Sequence, residues 1–426
     1  MNKYNEMVFG KYDNHNPVAL NNIILWLMML VSSMMIIKID DRAILIYIEL
    51  LFILAVFIRY QKMVLPTNIF FWMTLISCII TLVLSQKHNI PYSYKRGALI
   101  AGRNYILVFI VIIFFNTLVK IKGLSIVSIV RNGLKAMCLS QYAWCILDYI
   151  CYAGFKFDLN KYIFVSKLHM VANASQYKNG VLLASGLGWH PAIIAPVIVL
   201  GFFLFDSIWI KILIGIVTIL CGNITAFIGY ALCIIISIFI KLGKVKYNKI
   251  SYKAIISIII ILFLIILLLS NANLRVSIMQ YIDRVIGKFN FTNDVSSSTA
   301  HLRYYTSYPL VLKFSTLKQI IFGYGQGSSG YPITALFDQY SDIGYWATES
   351  DFMNILLSDG IFGFLCFYSL LLSILMKGRK INNKYSSIIF IFIIQGITYN
   401  IQFQWVVLIE LIFMILINYK YDIFNY

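Results

Sequence analysis

The sequence predicts an all-α polytopic membrane protein, with about twelve transmembrane helices and a large, partly helical extracytoplasmic loop between the ninth and tenth spans. Three observations predict it. Of the 426 residues 60% are hydrophobic and only 12% charged, whereas a soluble globule carries roughly a quarter charged residues. The apolar residues fall into runs near the ~20 that one helix needs to cross a bilayer. Lysine and arginine gather in the short connectors between those runs, as topology and anionic headgroups favour. The formal net charge of +18 therefore reads as membrane charge, because no soluble basic domain is present to hold nucleic acid.

Taken in order, the runs lie near 20–38, 43–59, 68–85, 104–120, 134–154, 190–206, 207–221, 223–241, 252–270, 352–376, 385–402 and 403–419. The pair 207–221 and 223–241 is divided by Gly222-Asn223, which reads as a tight break. Residues 1–17 are polar and lack a small-residue cleavage site, so the first span is expected to be retained. Four basic connectors fall on one side when twelve spans are counted. They are Arg59 with Lys62; Lys120, Lys122 and Arg131; Lys241, Lys244, Lys246, Lys249 and Lys253; and Lys377, Arg379, Lys380 and Lys384. The positive-inside rule makes that side cytoplasmic, together with both termini.

Three segments are left outside: 86–103, 155–189 and 271–351. With no internal repeat and no linker, residues 1–426 form a single membrane domain, and 271–351 forms a cap over its site. The first segment carries Lys87, Lys95, Arg96 and Arg103 on the side that basic charge should avoid. Either these belong to an interfacial helix whose lysines snorkel, or they form a basic collar for an anionic lipid headgroup. The seven cysteines lie in or beside apolar runs without histidine partners, so they read as small core residues. Glu49, Asp148 and Glu410 lie inside runs, where a charge needs a basic partner or a wet cavity.

The polar stretch 296–363 holds the candidate chemistry. After Thr292-Asn-Asp-Val-Ser-Ser-Ser-Thr-Ala-His301-Leu-Arg303 comes a helical stretch whose Tyr304, Tyr305, Tyr308, Leu312 and Leu317 suggest one apolar face. Next is Gly323-Tyr324-Gly325-Gln-Gly327-Ser-Ser-Gly330. Its last six residues spell a dinucleotide fingerprint, but Tyr331-Pro332 follows instead of a βαβ context, so that reading is excluded. A flexible turn cluster and a backbone cradle for phosphate or sugar oxygens both remain open. Arg303 offers a planar, permanently charged fork suited to phosphate, and His301 can exchange a proton near neutral pH. Glu349 and Asp351 abut a predicted span. There one acid stabilises the helix dipole, Ser350 or Asp351 serves as N-cap, and the other acid is free to act as a base.

At these residues the chain resembles the O-antigen polymerase and O-antigen ligase superfamily of bacterial envelope enzymes. The resemblance lies in about twelve spans with the largest external loop late in the chain, and in Arg303 followed after about 20 residues by the cluster Gly323-Tyr-Gly-Gln-Gly327. It continues in the start of the next span, which in many members begins His-Asn and ends Gly-x-x-Gly. Here that stretch reads Glu349-Ser-Asp-Phe-Met-Asn-Ile-Leu-Leu-Ser-Asp-Gly360-Ile-Phe-Gly363. Ser185-Gly-Leu-Gly-Trp-His190-Pro191 is similar to an earlier family element. Two departures stand out. Glu349 replaces the histidine typical of ligases, which favours polymerase, and Leu183 stands where many members carry an arginine, leaving Lys178 as the nearest base.

The resemblance implies a polymerase of lipid-linked oligosaccharide repeat units, for O-antigen or capsular polysaccharide, in the bacterial cytoplasmic (inner) membrane. It would be an inverting glycosyltransferase that moves the growing glycan from undecaprenyl pyrophosphate to the next lipid-linked unit. Glu349 is the expected base, with Asp351 and His301 in reserve, and Arg303 faces the departing pyrophosphate. Lys95, Arg96, Arg103, Lys178, His190, Tyr304, Gly323, Tyr324, Gly325 and Gly327 are the expected substrate-binding residues. The expected partners are the lipid-linked oligosaccharide, membrane lipids and a chain-length regulator; no cofactor, metal or nucleotide sugar is expected. An O-antigen-type ligase and a transporter or flippase of lipid-linked oligosaccharide are the alternatives.

Overall fold

The computed structural model describes residues 44–61, 63–66, 68–87, 106, 109–114, 117–118, 124–169, 176–178, 181–187, 194–244, 297–336, 350–381 and 383–399. The runs near 20–38, 252–270 and 403–419 lie outside the described residues, as do Lys95, Arg96, Arg103, His190, Glu349 and Glu410.

The fold is mostly helical. In chain order its helices are α1 Ile44–Tyr60, α2 Ile69–Lys87, α3 Leu124–Phe155, α4 Ile194–Leu204, α5 Ile208–Cys221 and α6 Ile224–Lys244. They continue as α7 Ser297–Phe314, α8 Leu317–Phe322, α9 Tyr331–Leu336, α10 Asp351–Ser358, α11 Gly360–Ile381 and α12 Asn383–Thr398. A π-helical turn, Lys161–Lys167, and a hairpin of β1 Gln176–Lys178 with β2 Val181–Leu183 follow α3.

The centre of the core is α4. Its sequence is apolar on every side, and every one of its 11 residues is buried, as expected of a helix hydrophobic all round. It packs against α3, α5, α6 and α12. At ~1.5 Å per residue it is only about 16 Å long, half of a bilayer core. Within the expected span 190–206 the described helix is Ile194–Leu204. Tyr142 of α3 donates to the Val197 carbonyl at 2.7 Å, and Gly201 makes room for that phenol: a Cβ there would lie 2.0 Å from Tyr142 Oη.

The break at Gly222 is present. Gly222 adopts φ 55 and donates to Ile219 O at 3.1 Å, the left-handed ending that glycine tolerates best. Asn223 then accepts from Thr225 N at 2.8 Å and starts α6. Two other boundaries differ from expectation. Arg131 lies inside α3, which is 32 residues long, instead of in a connector. The run 352–376 is two helices, α10 and α11, separated at Asp359. Among the described residues, no helix is long and apolar enough to cross a membrane.

The outward faces are nevertheless apolar. On α1, Ile44, Tyr47, Ile48, Leu51, Leu54 and Ile58 are exposed; on α5, Ile208, Ile212, Ile216 and Ile219 are exposed. Asp148, for which the sequence suggested a basic partner or a wet cavity, is fully buried and accepts from Asn160 Nδ2 at 2.9 Å. Asn160 also donates to Ser185 Oγ at 2.8 Å and accepts from Trp144 Nε1 at 2.7 Å. Leu187 N donates to Gln141 Oε1 at 2.8 Å. The Ser185-Gly-Leu element is thereby fixed to the inner face of α3.

Candidate functional site

The two glycine motifs form one joint. Thr316 opens α8 with a reciprocal cap: its backbone N–H donates to Gln319 Oε1 at 2.8 Å, and its hydroxyl accepts from Gln319 N at 3.3 Å. Gly323 closes α8, donating to Gln319 O at 2.8 Å. The next two amides reach across to the end of α10: Tyr324 N donates to Leu357 O at 2.8 Å and Gly325 N to Ser358 O at 2.9 Å. The last carbonyls of any helix lack an internal partner; here the glycine loop supplies the donors.

This pairing requires close backbone approach, which explains the glycines. Gly323 (φ 75) would put a Cβ 2.2 Å from Ser358 O, and Gly360 (φ 67) would put one 2.3 Å from Ile321 O. Gly325 (φ 107) abuts Ser85 of α2, its Cβ position lying 2.4 Å from Ser85 Cβ. A Cβ on Gly363 would come within 2.3 Å of Asp359 Cβ and 2.8 Å of Ser77 Oγ. All four positions therefore require the smallest side chain, three of them also for left-handed backbone.

Asp359 sits at the centre of the joint, 5% exposed. Its Oδ1 accepts from Thr81 Oγ1 of α2 at 2.7 Å and from Gln326 Nε2 of the glycine loop; its Oδ2 accepts from Ser358 Oγ at 2.9 Å. One carboxylate thus joins three segments distant in sequence. Ser77, Thr81 and Ser85 recur every fourth residue on one face of α2, all buried, the spacing at which helix side chains stack on one face.

The other end of α10 meets α7. Tyr305 Oη lies 2.6 Å from Ser350 Oγ and donates to Ile397 O, at the end of α12, at 2.9 Å. Ser350 occupies the N-cap position of α10 without a side-chain cap bond; its hydroxyl faces Tyr305 instead. Asp351, in the first turn, is fully buried. Burial pushes the Tyr305 phenol above its usual range; the bond with Ser350 opposes that shift and the Asp351 charge adds to it. Beneath this contact Tyr308, Val311, Tyr324, Tyr331, Ile333, Met353 and Leu357 pack together.

The structure describes the backbone position of part of the expected site. His301, Arg303 and Tyr304 lie on α7, whose Tyr305 contacts the N-cap of α10, while Lys178 lies on β1 and away from this cluster in the chain order. Asp351 opens α10, and Glu349 precedes Ser350 in the sequence. Of the two readings open for the glycine cluster, the contacts favour a turn: the amides of Gly323, Tyr324 and Gly325 are taken up by Gln319, Leu357 and Ser358, so they cap helix ends. Tyr324, an expected substrate-binding residue, is 9% exposed, with its phenol 2.7 Å from Ser315 Oγ. The apolar face of α7 is also narrower than expected, for Leu317 lies beyond its end on α8 and is 72% exposed. Asp359 and Thr81 were missed. Their signals were an acid directly before Gly360 and the four-residue hydroxyl spacing on α2. No protein-family model matches the chain, and no curated protein matches it.

Proposed function

We propose that this chain is a multi-pass polymerase of lipid-linked glycan repeat units, working at the outer face of a bacterial cytoplasmic membrane. The observation that carries the reading is the Tyr305–Ser350 contact at 2.6 Å. It joins the helix bearing Arg303 to Ser350, the residue that follows Glu349 in the sequence, which supports reading the two motifs as parts of one site. The exposed isoleucines and leucines of α1 and α5 support a lipid surrounding, because contiguous apolar patches of that kind are uncommon on soluble monomers.

In this reading the acceptor sugar hydroxyl attacks the anomeric carbon of the donor glycan. Its oxygen forms the new glycosidic bond as the carbon–oxygen bond to pyrophosphate breaks. The bonding pair leaves with undecaprenyl pyrophosphate, and the hydroxyl proton passes to Glu349. Attack opposite the leaving group inverts the anomeric centre. Arg303 opposes the charge that builds on the pyrophosphate, the term that usually contributes most to such catalysis. A general base typically contributes about 10²–10⁴-fold. Asp351, buried in the first turn of α10, is the reserve base.

Glu349→Gln and Arg303→Ala test this in a strain whose surface glycan depends on the protein. Each is expected to collapse the ladder of chain lengths to single repeat units at normal protein level. A full ladder from both variants overturns the assignment. Long chains accumulating on undecaprenyl pyrophosphate after deletion identify a ligase instead.

A further inference from the structure

Asp359 has no role in the reaction just described, yet it is the most heavily bonded acid in the joint. Its three partners all donate: Thr81 of α2, Gln326 of the glycine loop, and Ser358 at the end of α10. Gly363 leaves room for the side chain, and Gly360 lets the backbone turn directly after it. We propose that Asp359 is a positioning residue: a hydrogen-bond hub that locks the glycine loop and α10 against α2, and thereby fixes the opening turn of α10 at the candidate site. The proposal rests on that site for its functional consequence, while the lock itself is independent of any activity.

A hub of this kind needs acceptor oxygens in the right places more than it needs a charge. Asparagine keeps an oxygen for Thr81 and Gln326, and its amide can donate to Ser358 Oγ, because a hydroxyl both donates and accepts. Alanine keeps neither: Thr81 Oγ1 can fall back on the Cys78 carbonyl at 3.0 Å, while Gln326 Nε2 and Ser358 Oγ lose the acceptor that holds them to this site, a costly outcome for buried polar groups. An ion-carrying or proton-carrying acid would behave in the opposite way, with asparagine as damaging as alanine.

The lock can be read without activity. Ser329 Oγ of the loop donates to Asn354 Oδ1 of α10 at 2.5 Å, so a Ser329→Cys, Asn354→Cys pair reports whether the loop is docked. Cross-linking by a short bifunctional thiol reagent in isolated membranes is compared among wild-type, Asp359→Asn, Asp359→Ala and Gln326→Leu backgrounds. Single-cysteine variants give the contribution of the seven native cysteines. Asp359→Asn is expected to match wild type. Asp359→Ala and Gln326→Leu are expected to lower the yield about tenfold, in protein that still elutes as a single species in detergent. In the glycan assay the same two variants should lower kcat with KM for the lipid-linked unit little changed. Unchanged cross-linking in Asp359→Ala overturns the proposal. So does an asparagine variant that cross-links fully yet is as inactive as alanine, since that outcome requires the charge. Failure of the polymerase reading alone would abolish the ladder difference and leave the cross-linking result standing.

Discussion

Replacing Gly360 by alanine tests the joint most directly. The residue adopts φ 67, and the added Cβ would meet Ile321 O at 2.3 Å and Gly323 N at 2.5 Å. Both neighbours are backbone, in a turn whose amides are already bonded, so neither can swing aside. The left-handed conformation costs a non-glycine residue roughly 1–2 kcal/mol. Forcing a methyl group into packed surroundings adds typically about 1–3 kcal/mol. The sum, about 2–5 kcal/mol, is a large share of the ~5–15 kcal/mol that holds a typical domain together. Gly154 is the control: it lies in α3 with nothing within 4 Å of its Cβ position. There alanine should be neutral or stabilising by up to about 1 kcal/mol through helix propensity. Thermal unfolding in detergent, followed by tryptophan fluorescence, should show Gly360→Ala melting on the order of 5 °C lower and Gly154→Ala unchanged or higher. Equal melting of the two variants would refute the close approach of the glycine loop and α10.

Two further substitutions probe contacts elsewhere. Tyr305→Phe removes the hydroxyl that meets Ser350 and donates to the Ile397 carbonyl; it should cost about 1–3 kcal/mol and reduce glycan polymerisation with the protein still at normal level, measured as ladder length against an immunoblot. Gly201→Ala should destabilise by about 1–3 kcal/mol because its Cβ would sit 2.0 Å from Tyr142 Oη. Adding Tyr142→Phe deletes that oxygen and should recover part of the loss in the same melting assay; the ring carbon at 2.9 Å makes the recovery incomplete.

The sequence makes the helical class legible because apolar runs of this length have few other solutions. Boundaries are less legible where one run serves two structures. The stretch around Asp359 reads as a continuous span, since a single acid among leucines and isoleucines hardly lowers the average. What breaks it is a long-range demand, the docking of 323–325, which no local window contains. The burial of α4 is likewise a long-range property, set by the neighbours that cover it on all sides. Gly222-Asn223 was readable because both halves of that break, a left-handed ending and a cap, are properties of adjacent residues. The glycine motifs are legible in the sequence, but it leaves a turn cluster and a backbone cradle both open. A Gly-x-Gly cluster permits close approach but does not state to what. Here the approaching group is the end of another helix.

That reassignment narrows where chemistry can occur. If the glycine loop were the anion cradle, Arg303 and the loop amides would bind one phosphate together and α10 would be a bystander. With the amides of 323–325 engaged by α8 and α10, the loop instead fixes one end of an eight-residue helix, about 12 Å long. The Tyr305–Ser350 contact fixes the other end. A helix that short, held at both ends, has little freedom to tilt, so Asp351 in its first turn, the reserve base of the proposed reaction, keeps its place relative to α7. For a base that must stand within hydrogen-bonding reach of a hydroxyl, that constraint matters more than another donor to phosphate, because a misplacement of ~1 Å can cost about 10²-fold in rate. The glycines would then serve the reaction without touching substrate, and their substitution should depress turnover even where the lipid-linked unit still binds.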